Sequence, residues 1–194
     1  MCGIFGIFGY TPSKHGSLTN INQEFLKGAN RGPENSIIKK LNNQDIVLGF
    51  HRLAINGYNK LTSEQPIQKD GCILICNGEI YNWKKLASIT ETDCDSGSDC
   101  EIIINLYLKY GPEQTLQMLD GVFAFILVDL NKNKIFIARD TYGVRPLFIW
   151  GDNDSTFLVS SEMKTSINII DTKPRQFKPG TYIYTKISKC DNPS

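Results

Sequence analysis

Seven consecutive apolar residues, Val122-Phe123-Ala124-Phe125-Ile126-Leu127-Val128, constrain what this chain can fold into more than any other stretch. A run that is apolar on both faces reads as a central strand covered on each side. Asn131-Lys132-Asn133-Lys134 follows as a hairpin turn, which makes the next strand, Lys134–Ala138, antiparallel to the first. Further β-type runs are Ile4–Phe8, Asp45–Arg52, Cys72–Cys76, Pro146–Trp150, Thr156–Ser160 and Thr181–Ile187, punctuated by Gly, Asn and Asp.

Helical patterns are fewer. Ile21, Phe25 and Ala29 recur at helical spacing after a cap at Thr19 or Asn20, and Arg31-Gly32-Pro33 stops that segment. A second helix is predicted over Asn82–Ile89. Ser98 followed by Glu101 predicts a capping box at the head of a helix carrying Ile102, Ile103, Leu106 and Tyr110 on one face. Gly111-Pro112 breaks it, and Glu113–Leu119 forms a last short helix. Hairpin-linked strands with helices grouped between Asn82 and Leu119 specify an α+β class built on antiparallel sheets rather than alternating βαβ units.

A length of 194 residues fits one domain, 2–187, with a polar linker-like tail at 188–194. The formal charge of +1 and the lack of a basic run favour neither nucleic acid nor an anionic membrane as partner. Six cysteines occur without a signal-peptide pattern, so reduced thiols in a cytosolic protein are expected. Their spacing forms no zinc-finger pattern and there are only two histidines, so no metal site is expected. No apolar stretch approaches the roughly 20 residues that span a bilayer.

Four short segments carry chemistry. Cys2 follows the initiator methionine, and removal of Met1 would leave a thiol beside an α-amine with a reference pKa of about 7.7–8.0, a nucleophile and its base in one residue. Asn77-Gly78, after an apolar strand, reads either as a turn or as an oxyanion hole made of a side-chain amide and a backbone N–H. Arg52, in Phe50-His51-Arg52-Leu53, is either a surface cation or a bidentate carboxylate ligand, while His51 reads as structural. Asp99, in a first helical turn, is favoured by the helix dipole and would hold an ammonium if it faced a pocket. Thiolate, oxyanion donors, guanidinium and carboxylate together complement an amino acid whose side chain ends in an amide.

Cys2-Gly3-Ile4, Arg52-Leu53-Ala54-Ile55, Asn77-Gly78-Glu79-Ile80-Tyr81-Asn82, Ser98-Asp99-Cys100-Glu101, Leu119-Asp120-Gly121-Val122-Phe123-Ala124, Ala138-Arg139-Asp140 and Ser161-Glu162-Met163-Lys164 occur in an order that resembles class II glutamine amidotransferases. The Asn-Gly-Glu-Ile-Tyr-Asn and Ser-Asp-Cys-Glu versions are similar to the glutaminase domain of glutamine-hydrolysing asparagine synthetase. The resemblance implies the N-terminal nucleophile hydrolase fold, a four-layer α-β-β-α sandwich of two antiparallel sheets. It implies Cys2 as nucleophile, Asn77 and Gly78 as oxyanion hole, Arg52 as α-carboxylate ligand, and Asp99 with Glu79 on the α-amino side. Backbone of Leu53, Ala54, Ile55 and Asn56 would line the pocket. L-glutamine would be cleaved without a cofactor, with ATP and Mg expected only at a synthetase domain that this chain lacks.

Asn30-Arg31-Gly32-Pro33 stands where the family usually reads His-Arg-Gly-Pro, and Arg139-Asp140-Thr141 where Arg-Asp-Pro is usual. Gly143-Val144-Arg145-Pro146-Leu147 is more similar to amidophosphoribosyltransferases. The alternatives are therefore a glutaminase domain of that type, a hydrolase of another amide, or a non-catalytic module of the same fold if Met1 is retained.

Overall fold

The computed structural model describes residues 1–41, 44–53, 64–153 and 156–187. Ala54, Ile55, Asn56 and the tail at 188–194 lie outside the described residues. Contacts gather into two compact units, one of Met1–Leu53, Pro146–Lys178 and Lys186–Ser194, the other of Ala54–Arg145 and Pro179–Thr185. Among the described residues no helix is long and apolar enough to cross a membrane.

The first unit is organised by β1 (Gly3–Phe8), every residue of which is buried. It pairs antiparallel with β3 (Ile46–Arg52) on one side and β9 (Thr156–Ser160) on the other. β2 (Asn35–Lys40) extends the sheet beyond β3, and β8 (Phe148–Asn153) with β10 (Arg175–Gln176) extends it beyond β9. β2 and β10 escape sequence reading because their residues are partly exposed and polar, and pairing with a neighbour defines them.

A short helix, α1 (Pro12–His15), precedes α2 (Leu18–Leu26). The α2 cap is Ser17, whose Oγ accepts the Asn20 N–H at 3.3 Å, and not Thr19 or Asn20 as expected, because the helix begins before both. Ala29 lies beyond its end in a 3-10 turn, Ala29–Arg31. Ile21 and Phe25 bury against Phe5, Ile7, Val47 and Leu158. Each such side chain contributes about 1.5–3 kcal/mol when fully removed from water. Gly49 lets Phe25 lie flat on β3, since a Cβ there would sit 2.7 Å from the ring.

The second unit holds a sheet in the order β11-β7-β6-β5-β4, formed by Tyr182–Lys186, Lys134–Arg139, Gly121–Asp129, Cys72–Ile80 and Ile67–Lys69. β6 is central, and Phe123 to Val128 are buried on both faces, as the apolar run required. Leu74, Phe125, Leu127 and Phe136 pack with Ile103 and Tyr107 of α4 (Ile102–Met118). That helix kinks at Gly111 (φ 81°) before Pro112, matching the expected break. Asn82 donates to the Met118 carbonyl (2.9 Å) and accepts from Asp120 N–H (3.1 Å), tying the head of α3 (Trp83–Thr90) to the end of α4.

One alternative and one local expectation are set aside here. Asn77-Gly78 is not a turn: β5 runs through it, with Asn77 opposite Ala124 and Gly78 opposite Phe123. Glu101 does not close a capping box. Ser98 Oγ caps the turn at Asp99–Glu101 through Cys100 N–H (3.3 Å), but Glu101 is drawn to Lys69 Nζ (2.8 Å) and Ser96 N–H (2.7 Å).

The segment after β7 is organised by buried Asp140, whose carboxylate accepts the N–H groups of Phe123 (3.2 Å), Tyr142 (3.1 Å), Val144 (3.0 Å) and Arg145 (3.2 Å). Arg139 donates to the carbonyls of Arg145 and Gly143, both at 2.7 Å. Thr141, where the family usually has proline, is exposed, and the hydrogen bonds of Asp140 and Arg139 hold this loop. Asp140→Ala leaves these donors without their acceptor and is expected to destabilise the fold by about 3 kcal/mol. Urea unfolding would show it as a lower midpoint at unchanged slope.

Candidate active site

Cys2 sits one residue before β1, and pairing of Gly3 with His51 sets it beside the end of β3. The Cys2 thiol donates to the Leu53 carbonyl (3.3 Å), and Leu53 N–H donates to Sγ (3.4 Å). Arg52, half-buried, closes β3, where Pro33 bridges to it and Glu34 N–H donates to its carbonyl (3.2 Å). Gly32 passes so close to β3 that a Cβ would lie 2.5 Å from backbone carbons of His51 and Arg52. Asn30, where the family usually has His, is exposed, so the contacts of this segment rest on Arg31, Gly32 and Pro33.

Two residues here were not singled out in the sequence. Arg31 Nε donates to the Cys2 carbonyl (3.0 Å), and its Nη1 donates to Glu162 Oε1 (2.9 Å). In the sequence Arg31 belongs to a helix stop and to a family motif, and Glu162 to another motif, with no role attached to either. His51 is structural, as expected: its ring stacks on Phe25 at 3.9 Å and 6°, with Nε2 at 3.0 Å from the Phe25 carbonyl and Nδ1 at 2.7 Å from Ser36 Oγ. Those partners fit a neutral ring with its proton on Nε2.

In the second unit, Asn77 is buried on β5 and its Nδ2 has no hydrogen-bond partner among the described residues. The backbone leading to it is clamped at Cys76, whose carbonyl accepts from Gln65 Nε2 (3.0 Å) and whose N–H donates to Gln65 Oε1 (2.5 Å). Gly78 has no room for a side chain, since a Cβ would lie 2.7 Å from the Val122 carbonyl and 2.8 Å from Phe123 Cβ. Asp99 accepts Ile80 N–H at 2.6 Å, directly after half-buried Glu79 on the strand. Burial above all, with the Glu79 charge adding, raises the Asp99 pKa against the pull of the Ile80 hydrogen bond. A carboxyl held that way gains from a cation. The structure thus groups Cys2 with Arg52 and Leu53, and separately Asn77, Gly78 and Glu79 with Asp99. Among the described residues no group of three or more His, Cys, Asp or Glu is arranged to hold a metal ion.

The family described as "Glutamine amidotransferase domain" matches residues 1–192. The chain belongs to that family. This amidotransferase domain is 42% identical over 191 residues to asparagine synthetase [glutamine-hydrolyzing] of Bos taurus and 40% identical to that of Homo sapiens, covering 94% of this chain in each case. It spans 33% of those relatives' length. Among solved structures, the glutamine phosphoribosylpyrophosphate amidotransferase from B. subtilis superposes with TM-score 0.67 at 23% identity, covering 96% of this chain and 49% of that one. An allosteric regulatory enzyme of purine biosynthesis gives TM-score 0.72 at 24% identity, covering 95% and 47%. These likenesses show the fold, and the expected α+β class with two antiparallel sheets stands.

Burial above all, with the Arg31 charge adding, lowers the His51 pKa against the Phe25 carbonyl's opposite pull. The unfolded chain therefore takes up a proton at His51 before the folded one does. Its stabilisation is fully present above the unfolded value of about 6.5 and is lost as pH falls through the lowered folded value. Urea midpoints measured from pH 8 to pH 5 are expected to fall below about pH 6.5, and to fall less steeply in His51→Gln.

Proposed function

We propose that this chain is the glutaminase part of an asparagine-synthetase-type amidotransferase, hydrolysing L-glutamine to L-glutamate and ammonia. The observation that carries the reading is the buried Asn77 amide with an unpartnered Nδ2. A buried donor left unsatisfied costs about 1–3 kcal/mol, and an oxyanion forming beside Gly78 would satisfy it. Relatives at 40–42% identity are asparagine synthetases, which favours that type.

In this reading Met1 is removed first. It is 48% exposed, so its loss uncovers no core. The Cys2 α-amine takes the thiol proton, and the thiolate attacks the side-chain amide carbon of glutamine. Asn77 Nδ2 and Gly78 N–H receive the negative charge that develops on the amide oxygen. Collapse of the tetrahedral species breaks the C–N bond, and the α-ammonium returns its proton to the departing ammonia. Water, deprotonated by the same amine, then hydrolyses the γ-glutamyl thioester. Arg52 would hold the α-carboxylate, Asp99 and Glu79 the α-ammonium, and backbone from Leu53 to Asn56 the rest of the substrate. Asp99 is buried and held to the strand by the Ile80 N–H beside Glu79, which supports its placement on the α-amino side.

Ammonia would pass to an acceptor domain or subunit, such as one carrying an activated aspartate, and ATP with Mg would be needed only there. A cytosolic setting keeps thiols reduced, which suits a Cys2 nucleophile.

Intact mass after incubation with 6-diazo-5-oxo-norleucine is expected to show loss of one methionine and one adduct mapping to Cys2. Retained Met1 with no adduct would overturn the reading. Asn77→Ala is expected to lower kcat for glutamine hydrolysis by about 10²–10³-fold, the effect of one lost oxyanion donor. An unchanged rate would remove Asn77 from that role.

A further inference from the structure

We propose that Glu162 is a positioning residue for the Cys2 nucleophile, acting through Arg31. The proposal rests on the glutaminase reading and extends it to a residue that touches neither substrate nor thiol. Arg31 is the intermediary: Nε donates to the Cys2 carbonyl at 3.0 Å and Nη1 donates to Glu162 Oε1 at 2.9 Å, while Nη2 is buried with no partner among the described residues. A guanidinium is a rigid plane, so a bond at Nη1 sets the direction in which Nε points. Glu162 thereby aims Arg31 at the one peptide group that joins the nucleophilic residue to the fold.

The carboxylate is itself registered to the same strand as Cys2. Glu162 follows β9, which pairs with β1. Just before it, Ser161 N–H donates to the Ile4 carbonyl (2.9 Å) and Ser161 Oγ accepts Ile4 N–H (3.1 Å). Glu162 N–H donates to Ser160 Oγ (3.2 Å), and its carbonyl accepts from Thr165 Oγ1 (2.8 Å). Backbone pairing and the Glu162–Arg31 link therefore locate Cys2 by two routes, both starting from the end of β9.

The pair is also unlike a surface ion pair. The side chains of Arg31 and Glu162 are 12% and 29% exposed. Removing the side chain would leave Arg31 Nη1 without its acceptor, and the guanidinium would turn toward water and release the Cys2 carbonyl. A thiol and its base carried on one residue lose alignment together when that carbonyl is released.

The test is steady-state glutamine hydrolysis per active site, with sites counted by 6-diazo-5-oxo-norleucine titration so that misfolded protein does not contribute. Glu162→Ala is expected to lower kcat by roughly 10- to 100-fold, the size of a misplaced reacting group, with KM changed by less than about threefold. Glu162→Gln keeps an acceptor facing Nη1 and is expected to recover most of the loss. If Glu162→Ala does not fold, Glu162→Asp decides, since a carboxylate one methylene shorter withdraws from Nη1 and is expected to show the same drop in kcat. Wild-type turnover per titrated site in Glu162→Ala, or in Glu162→Asp where that variant decides, would overturn the proposal, as would a Gln variant as slow as the variant that decides. A wild-type chain that neither hydrolyses glutamine nor takes the adduct would instead overturn the glutaminase reading, and this proposal with it.

Discussion

Cys2 lies one residue outside the sheet, and a residue at such a position keeps a fixed place only if something ties it down. Here the tie is β1. Gly3–Phe8 is buried throughout and hydrogen-bonded on both edges, to β3 and to β9. Cys2 inherits its place from that strand, and the contacts with Leu53 and Arg31 then set its thiol and its carbonyl. Much of the first unit follows from the same constraint. Ile21 and Phe25 of α2 cover Phe5 and Ile7, and Gly32 approaches the β3 backbone closely enough to bring Arg31 to the Cys2 carbonyl.

The second unit solves a different problem, that of holding a polar side chain still in a strand. Asn-Gly ordinarily favours a turn. Register with β6 from Cys72 to Ile80 outweighs that preference, and the Gln65 side chain clamps the backbone at Cys76. The outcome is an amide donor kept buried without a partner among the described residues, an arrangement that protein cores avoid. Asp99, tied to the same strand through Ile80 N–H, is a buried carboxyl that gains from a cation.

Much of this was legible in the residues. The run from Val122 to Val128 announced a central strand, and the kink at Gly111 was written in Gly-Pro. What failed was local reasoning wherever a distant partner outbid a near one. Glu101 prefers Lys69 to a capping box, and Asn77-Gly78 prefers Ala124 and Phe123 to a turn. β2 and β10 carry no apolar alternation because they are partly exposed, so nothing in their own residues marked them.

The sequence by itself determined the elements whose signals are local or covalent: the apolar strands, the helix break, the thiol beside the chain start, and the motif order that marks the family. Tertiary structure alone decided which groups answer to which. The partners of Arg31 are Cys2, 29 residues away, and Glu162, 131 residues away, and neither distance leaves a trace in the intervening residues. Hydrogen bonds between remote side chains and backbone depend on where the strands converge, and that convergence exists only after the sheet has formed.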